Sequence, residues 1–246
     1  MRGQVKTVRV MTYNVHHCLG GDGRFDAGRV VQVIDKGGAD IIALQDLENP
    51  TEKQTLTNLG RALGMNSYSG SPDSPLGFLS HLTLQGIQEY PLAGGGVCLR
   101  GDTCIGGKRL HLFNVRLGST DRGRQIASLL GPELLGSRSV SCPTLVLGDF
   151  SDLWWGAGNL NLALSLEKVG RPLWSATYPA RFPLAARDRI YLRGGLRVLD
   201  CRVLRHRLAR QSSTHLPFLV TVQVVDPRTH LKVEKLPRNR METAPG

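Results

Sequence analysis

Residues 7–24 read TVRVMTYNVHHCLGGDGR. The first eight, TVRVMTYN, alternate and are rich in β-branched side chains, which predicts a strand ending at Asn14. GGDGR at 20–24 is a loop sequence. Just beyond it, DAGRVVQVIDKG at 26–37 places Val30, Val31, Val33 and Ile34 on one helical face, with Asp26 as N-cap. Ile41–Leu44 is a short apolar run and reads as a buried strand. The chain therefore opens as strand, loop, helix, strand.

The pattern then repeats with variations. A second amphipathic helix is expected over 52–63, stopped by Gly64, followed by a strand pair or one bent strand over 77–84. Residues 96–105 and 109–115 alternate around GGK and predict a hairpin. A helix over 121–136 leads to a buried strand at 144–147, which runs into Gly148-Asp149-Phe150. A further helix is expected at 158–168, and strands near 189–193, 196–205 and 218–225. Two α/β halves carrying antiparallel strands suggest two sheets packed face to face with helices outside. No internal repeat is visible, which excludes solenoids. We expect one domain over 1–226 and a loose basic tail at 227–246, where five Lys/Arg occur with no apolar period.

Composition narrows the function classes. Of 246 residues, 41% are hydrophobic and 21% charged, which excludes a disordered chain, a coiled coil and a collagen. Lys+Arg minus Asp+Glu is 31 − 20 = +11, a balance that favours anionic partners such as nucleic acid or phosphorylated substrates. No run of 18 apolar residues suggests a membrane span, and the N-terminus lacks the apolar core of a signal peptide. Cys18, Cys98, Cys104, Cys142 and Cys201 form no CxxC pair, so no zinc knuckle or redox motif is expected. Cys98, Cys104 and Cys142 sit in or beside strand-like runs and read as small buried hydrophobes. A reducing cytoplasm and a monomer are the expectations that fit.

Polar residues recur where strands end: Asn14 and His16, Asp46 and Glu48, Arg116, Asp149 and Ser151, then Asp188 and His215 just before late strands. Each alone is an ordinary turn residue; together they predict a site at one sheet rim. His16, His17 and Cys18 look like metal ligands, but neighbours at a strand end point opposite ways, so turn structure with His16 near the rim is the better reading. Nine arginines lie between Arg181 and Arg210 against Asp188 and Asp200. Strand alternation would set Arg197, Arg205 and Arg207 in one basic strip, either tracking a phosphate backbone or simply protecting a sheet edge. Aromatics are only 6%, which disfavours a stacking platform. Trp154 and Trp155 follow the GDFS turn and read as a substrate-facing wall or as packing under the loop.

TYNVHHCLGGDGR, ALQDLE, GFLSH, LFNVRLG with RGRQ behind it, LVLGDFS, RDRIYL and STHLP occur in one order. Together they resemble the endonuclease/exonuclease/phosphatase superfamily of metal-dependent phosphoesterases, and its bacterial branch in particular, over about residues 7 to 224. The resemblance implies a four-layer α/β sandwich with a Mg2+- or Mn2+-assisted site and a phosphoester substrate. It assigns Asn14 to support of the metal ligand and scissile phosphate, and Asp149 to the attacking water. It assigns Asp188 to orientation of the catalytic His215, which contacts the phosphate. Four positions depart from the family pattern. Asp46 stands where a metal-binding Glu is usual, with Glu48 a weaker candidate ligand. Arg116 stands for a His, Ser151 for an Asn and Thr214 for an Asp. The reading is a phosphodiesterase-, nuclease- or phosphatase-type hydrolase, with Asp46 holding the metal and Arg116 able to clamp a phosphate. The alternative is a degenerate member that binds nucleic acid or another phosphoryl ligand without hydrolysis. A third reading is an interaction scaffold with no ligand at that rim.

Overall fold

Asp26 caps the first helix as expected: its side chain accepts a hydrogen bond from the Arg29 backbone N–H at 3.0 Å. That helix, α1 (Ala27–Gly37), ends on Gly38 at φ +60°, and α2 (Thr55–Leu63) ends on Gly64 at φ +64°. Both glycines occupy the left-handed conformation that closes a helix at little steric cost. The computed structural model describes residues 7–47, 54–140, 143–151, 162–170 and 176–225.

Among the described residues, twelve strands form two six-stranded mixed sheets. The first runs in the order β11 (Leu196–Val203), β12 (Phe218–Val224), β1 (Thr7–Asn14), β2 (Ile41–Gln45), β4 (Leu76–Ser80), β3 (Asn66–Tyr68). The second runs β5 (Gln85–Leu92), β6 (Gly96–Ile105), β7 (Lys108–Arg116), β8 (Thr144–Asp149), β10 (Asp188–Arg193), β9 (Glu167–Lys168). Each sheet is built on one parallel pair joined by a helix. β1 and β2 are joined through α1, and β7 and β8 through α3 (Arg122–Leu130). A parallel pair needs such a crossover, and it brings both C-terminal strand ends to the same rim.

Three apolar layers follow. Val10, Ile41, Phe78, Leu112, Leu145 and Val220 belong to the core between the sheets. Met11, Tyr13, Ile42 and Leu44 pack with Val30, Val33 and Leu59 of the helices on the first sheet. Phe113, Val115 and Val146 pack with Ile126 and Leu129 of α3 on the second. This is the expected four-layer α/β sandwich. β1 departs from simple alternation: Val10 to Asn14 are all buried, because sheet covers one face and helix the other.

Several expected elements change. The helix predicted over 121–136 ends at Leu130, with Gly131 extended at φ −64° and ψ 169°. Pro132 follows and disfavours helical geometry in the residue before it. In the predicted helix at 158–168, residues 162–165 are helical, but Glu167–Lys168 pair with β10 instead. Residues 77–84 are divided between the end of β4, at Ser80, and a turn before β5. The strand expected to 205 stops at Val203, and α4 (Arg207–Ser212) follows, a helix the sequence pattern did not suggest. The basic strip of Arg197, Arg205 and Arg207 is thereby overturned. Arg197 lies on β11, Arg205 in a loop and Arg207 at the start of α4, so strand alternation does not relate them. Cys98 is buried as expected, whereas Cys104 is exposed. Glu48, Cys142, Trp154, Trp155 and the expected tail lie outside the described residues. Among the described residues, no helix is long and apolar enough to cross a membrane.

Candidate functional site

The registers fix which polar residues meet. Asn14 pairs with Gln45 across β1 and β2, Arg116 with Asp149 across β7 and β8, and Asp188 with Asp149 across β8 and β10. Five strand ends from both sheets thus converge on one rim. Gly148 makes this approach possible. It sits at φ +147°, and a Cβ there would lie 1.9 Å from the Val115 carbonyl oxygen, so no larger residue can precede Asp149 without moving β7.

Asn14 is the hub. Its Nδ2 donates to Asp46 Oδ2 at 2.8 Å and to Asp149 Oδ2 at 2.9 Å, and its Oδ1 accepts from the His16 backbone N–H at 2.9 Å. Ser213 Oγ donates to the Asn14 carbonyl at 2.7 Å. Asp149 also accepts from the Ser151 backbone N–H at 2.7 Å and from its Oγ at 3.2 Å. Arg122 of α3 in turn donates to the Ser151 carbonyl. Arg116 Nε donates to Asp46 Oδ1, forming an ion pair at the mouth of the site.

The other half is a buried His–Asp pair. His215 Nδ1 lies 3.0 Å from Asp188 Oδ2 and 3.2 Å from Oδ1, while its Nε2 faces Asp149 Oδ2 at 3.9 Å. The ring is held against Tyr178, centroid to centroid at 4.9 Å, and the Arg187 guanidinium covers the far ring at 3.7 Å. Burial would lower the His215 pKa, but the charges of Asp188, Asp149 and Asp46, with the Asp188 hydrogen bond, hold it above the ordinary histidine value. Burial first, and the neighbouring Asp188 charge second, raise the Asp149 carboxyl, against the opposing pull of His215, Ser151 and Asn14. Both groups therefore hold a proton more tightly than an ordinary histidine or aspartate does.

His16–Cys18 is a short 3-10 turn, and among the described residues no group of three or more His, Cys, Asp or Glu side chains is arranged to hold a metal ion. His16, His17, Cys18, Asp46 and Ser151 all have positive φ. Such backbone costs on the order of 1–3 kcal/mol per residue and gathers where surroundings over-determine it, as at this rim. Beneath it lie residues that sequence reasoning passed over. Gln45 Nε2 donates to Asn114 Oδ1 at 2.7 Å and to Thr12 Oγ1 at 3.1 Å, and Asn114 Nδ2 donates to the Leu44 and Gly77 carbonyls. This network stitches β2 to β7 across the core. The signal was present: a Gln and an Asn inside otherwise apolar strand runs are costly unless paired.

All seven candidate residues stand at this rim: Asn14, Asp46, Arg116, Asp149, Ser151, Asp188 and His215. The metal expectation meets an obstacle there. Asp46 has Oδ1 on Arg116 and Oδ2 on Asn14, and Asn14 turns its amide nitrogen, which cannot ligate, toward the carboxylates. A magnesium ion demands an octahedron of oxygens. Among the described residues this donor set does not fit one.

Comparison with known proteins agrees with the geometry. Over 125 residues the chain is 30% identical to an uncharacterized protein, YbhP, of Escherichia coli strain K12, covering 48% of each. The chain thus spans about half the length of the curated relatives it matches. Its fold is similar to a crystal structure of an endonuclease/exonuclease/phosphatase family protein from Bacteroides thetaiotaomicron. The TM-score is 0.74 at 16% identity, over 91% of this chain and all of that one. It is also similar to D. rerio TDP2 complexed with single-strand DNA product, with a TM-score of 0.69 at 18% identity, over 88% of this chain and 98% of that one. Members of this family typically use a divalent metal. Residues 11–215 match the family's model, a span that includes every residue of the rim from Asn14 to His215, and on that match the chain belongs to the endonuclease/exonuclease/phosphatase family.

Proposed function

We propose that the protein hydrolyses a phosphodiester at this rim. The observation that carries the reading is the gap between His215 Nε2 and Asp149 Oδ2, 3.9 Å wide. It is too long for a hydrogen bond between them, yet one small oxygen can sit within bonding distance of both. Asp149, with its raised basicity, accepts a proton from a water molecule placed there. The water oxygen then bonds to phosphorus, the bond from phosphorus to the leaving oxygen breaks, and the leaving oxygen takes a proton from solvent. Once the water oxygen has bonded to phosphorus it is an oxygen of the phosphoryl group, and His215, with its ring fixed by Asp188, donates to it from Nε2. Asn14 and Ser151 hold the Asp149 carboxylate in place.

Charge stabilisation dominates phosphoryl transfer, so the positive charge at the rim decides the rate. Arg116 supplies it here. Its Nε is on Asp46, which leaves two terminal nitrogens to clamp a phosphate. Magnesium or manganese at Asp46 competes with that pair, and its binding is expected to be weak. A strand of nucleic acid is the substrate class that the net charge of +11 favours, and DNA product is bound in the TDP2 structure of similar fold. The test is hydrolysis of bis(4-nitrophenyl) phosphate by the parent, Asp149→Asn and His215→Ala. Each variant should lose on the order of 100-fold or more. If the parent does not turn over but binds phosphate at this rim, the protein is instead a binder built on the family's scaffold. The Arg116–Asp46 pair is the feature that favours that second reading.

A further inference from the structure

Beside the rim lies a second basic feature that the hydrolytic reading does not use. A pocket of about 460 Å³ is lined by Arg181, Arg205, Arg207 and Arg210, with Asp22 and Phe182 among its other walls. It is assembled from three segments: the GGDGR loop, the chain after Tyr178, and α4 with the loop before it. Each segment leads directly to the rim. Ala180 N–H donates to the Thr214 carbonyl at 2.7 Å, and Tyr178 packs on His215. Gln211 lies four residues before His215, so the two Cα atoms are at most about 14 Å apart.

Arg181, Arg207 and Arg210 bring three positive charges to the pocket. Among the described residues Asp22 is its one carboxylate, and Asp22 is already engaged by Arg29, Nη1 to Oδ2 at 2.8 Å. No ion pair joins Arg181, Arg207 or Arg210 to a carboxylate among the described residues. Like charges that converge without counter-charge repel one another, and a bound anion relieves this. Planar guanidinium groups match phosphate oxygens in particular. Phe182 is 77% exposed, an apolar ring left in water at the pocket wall.

We infer that this pocket is a second phosphate subsite. Arg181, Arg207 and Arg210 hold a phosphate of the substrate other than the one cleaved, and Phe182 lies against the group that carries it. The inference deepens the phosphodiesterase reading, since the substrate must then bear at least two phosphates. The second phosphate belongs either to the neighbouring nucleotide of a strand or to a small bisphosphate.

The experiment compares the parent, Arg181→Ala/Arg207→Ala, Arg181→Lys/Arg207→Lys and a control, Arg61→Ala/Arg109→Ala, which removes the same net charge from exposed positions elsewhere. Binding of a labelled oligothymidylate of about a dozen nucleotides is measured against salt. Two lost phosphate contacts should lower the magnitude of the log–log slope by about 1.4, and the affinity by about 25-fold at ~0.1 M salt. The lysine variant should keep most of the slope, and the control should keep nearly all. Binding of a nucleoside 3′,5′-bisphosphate runs in parallel: loss of its affinity in the alanine variant assigns the pocket to a small bisphosphate, and loss for the oligonucleotide alone assigns it to a strand. Hydrolysis of bis(4-nitrophenyl) phosphate, which has a single phosphate, should be the same in the alanine variant as in the parent. An alanine variant that binds both probes like the parent, or a control that loses as much, overturns the subsite. A parent inactive on the chromogenic diester sinks the hydrolase reading alone, because the binding arms still judge the pocket.

Discussion

Removing the Arg116 guanidinium is the sharpest perturbation of this site. In the folded protein Arg116 is tied to Asp46, with their side chains 34% and 13% exposed. Opposite charges about 4 Å apart at an effective dielectric constant near 20 attract by ~4 kcal/mol. A phosphate at the rim should gain a similar amount from the same cation. At about 1.4 kcal/mol per decade, Arg116→Ala should then lower kcat/KM by on the order of 1,000-fold. That agrees with the lower end for arginines placed beside transferring phosphoryl groups. The substitution also unmasks the Asp46 charge, with Oδ1 now open to an ion. Millimolar magnesium or manganese should therefore restore at least part of the lost activity in Arg116→Ala, and none in Arg116→Ala/Asp46→Asn. The parent should change little with chelator, and Arg116→Lys should recover only part of the loss, since it lacks the two-pronged donor fork. Arg116→His with Asp46→Glu and Thr214→Asp should install strong metal dependence. The assay is hydrolysis of bis(4-nitrophenyl) phosphate, with chelator or added metal, for each variant. If Arg116→Ala matches the parent, or if the parent itself collapses on chelation, Arg116 does not take the cation's place and the reasoning fails.

Three further outcomes follow from the structure. Because Asp188 helps hold His215 above its ordinary pKa of 6.5, that contribution to stability is complete below 6.5 and fades as pH rises through the folded value. The Tm difference between parent and Asp188→Asn should therefore shrink as pH rises, and a difference that grows would contradict the assignment. Gly148→Ala forces a Cβ to within 1.9 Å of the Val115 carbonyl, so β7 and β8 must part. A cost of about 3 kcal/mol should lower Tm by roughly 10 °C, and a calorimetric shift under ~2 °C would refute that. Asn114→Leu breaks three buried hydrogen bonds and should cost about 2–4 kcal/mol in urea unfolding. Adding Gln45→Leu should then cost less than the sum of the two single changes, because they share a partner; full additivity would show that they do not act as a network.

The sequence by itself determined the elements whose signal is local. The strand over residues 7–14, the Asp26 cap, Gly64 as a stop and the hairpin around GGK are each set by side chains a few residues apart, and all four stand in the structure. So do the polar strand ends: Asn14, Arg116 and Asp149 close their strands and Asp188 opens one, and all could be read as rim residues because the limits of a strand are visible in its pattern. β3 and β9 could not be read this way, since strands of three and two residues exist only through pairing with β4 and β10. α4 escaped because its six residues carry too short a period to register.

Tertiary structure alone decided which of these residues meet. Asp46 is tied to Arg116 across 70 positions, and Asn14 to Asp149 across 135. Nothing in the local pattern says whether a shortened carboxylate will face an ion or a guanidinium. The arginines of 181–210 are the clearest instance. Their number was legible, but strand periodicity set Arg197 with Arg205 and Arg207, whereas the fold turns the chain into α4 and gathers Arg181, Arg205, Arg207 and Arg210 around one pocket. Periodicity sets the direction of a side chain within its own element. The path of the backbone between elements sets its neighbours, and that path is fixed by the burial of two sheets and their helices as a whole.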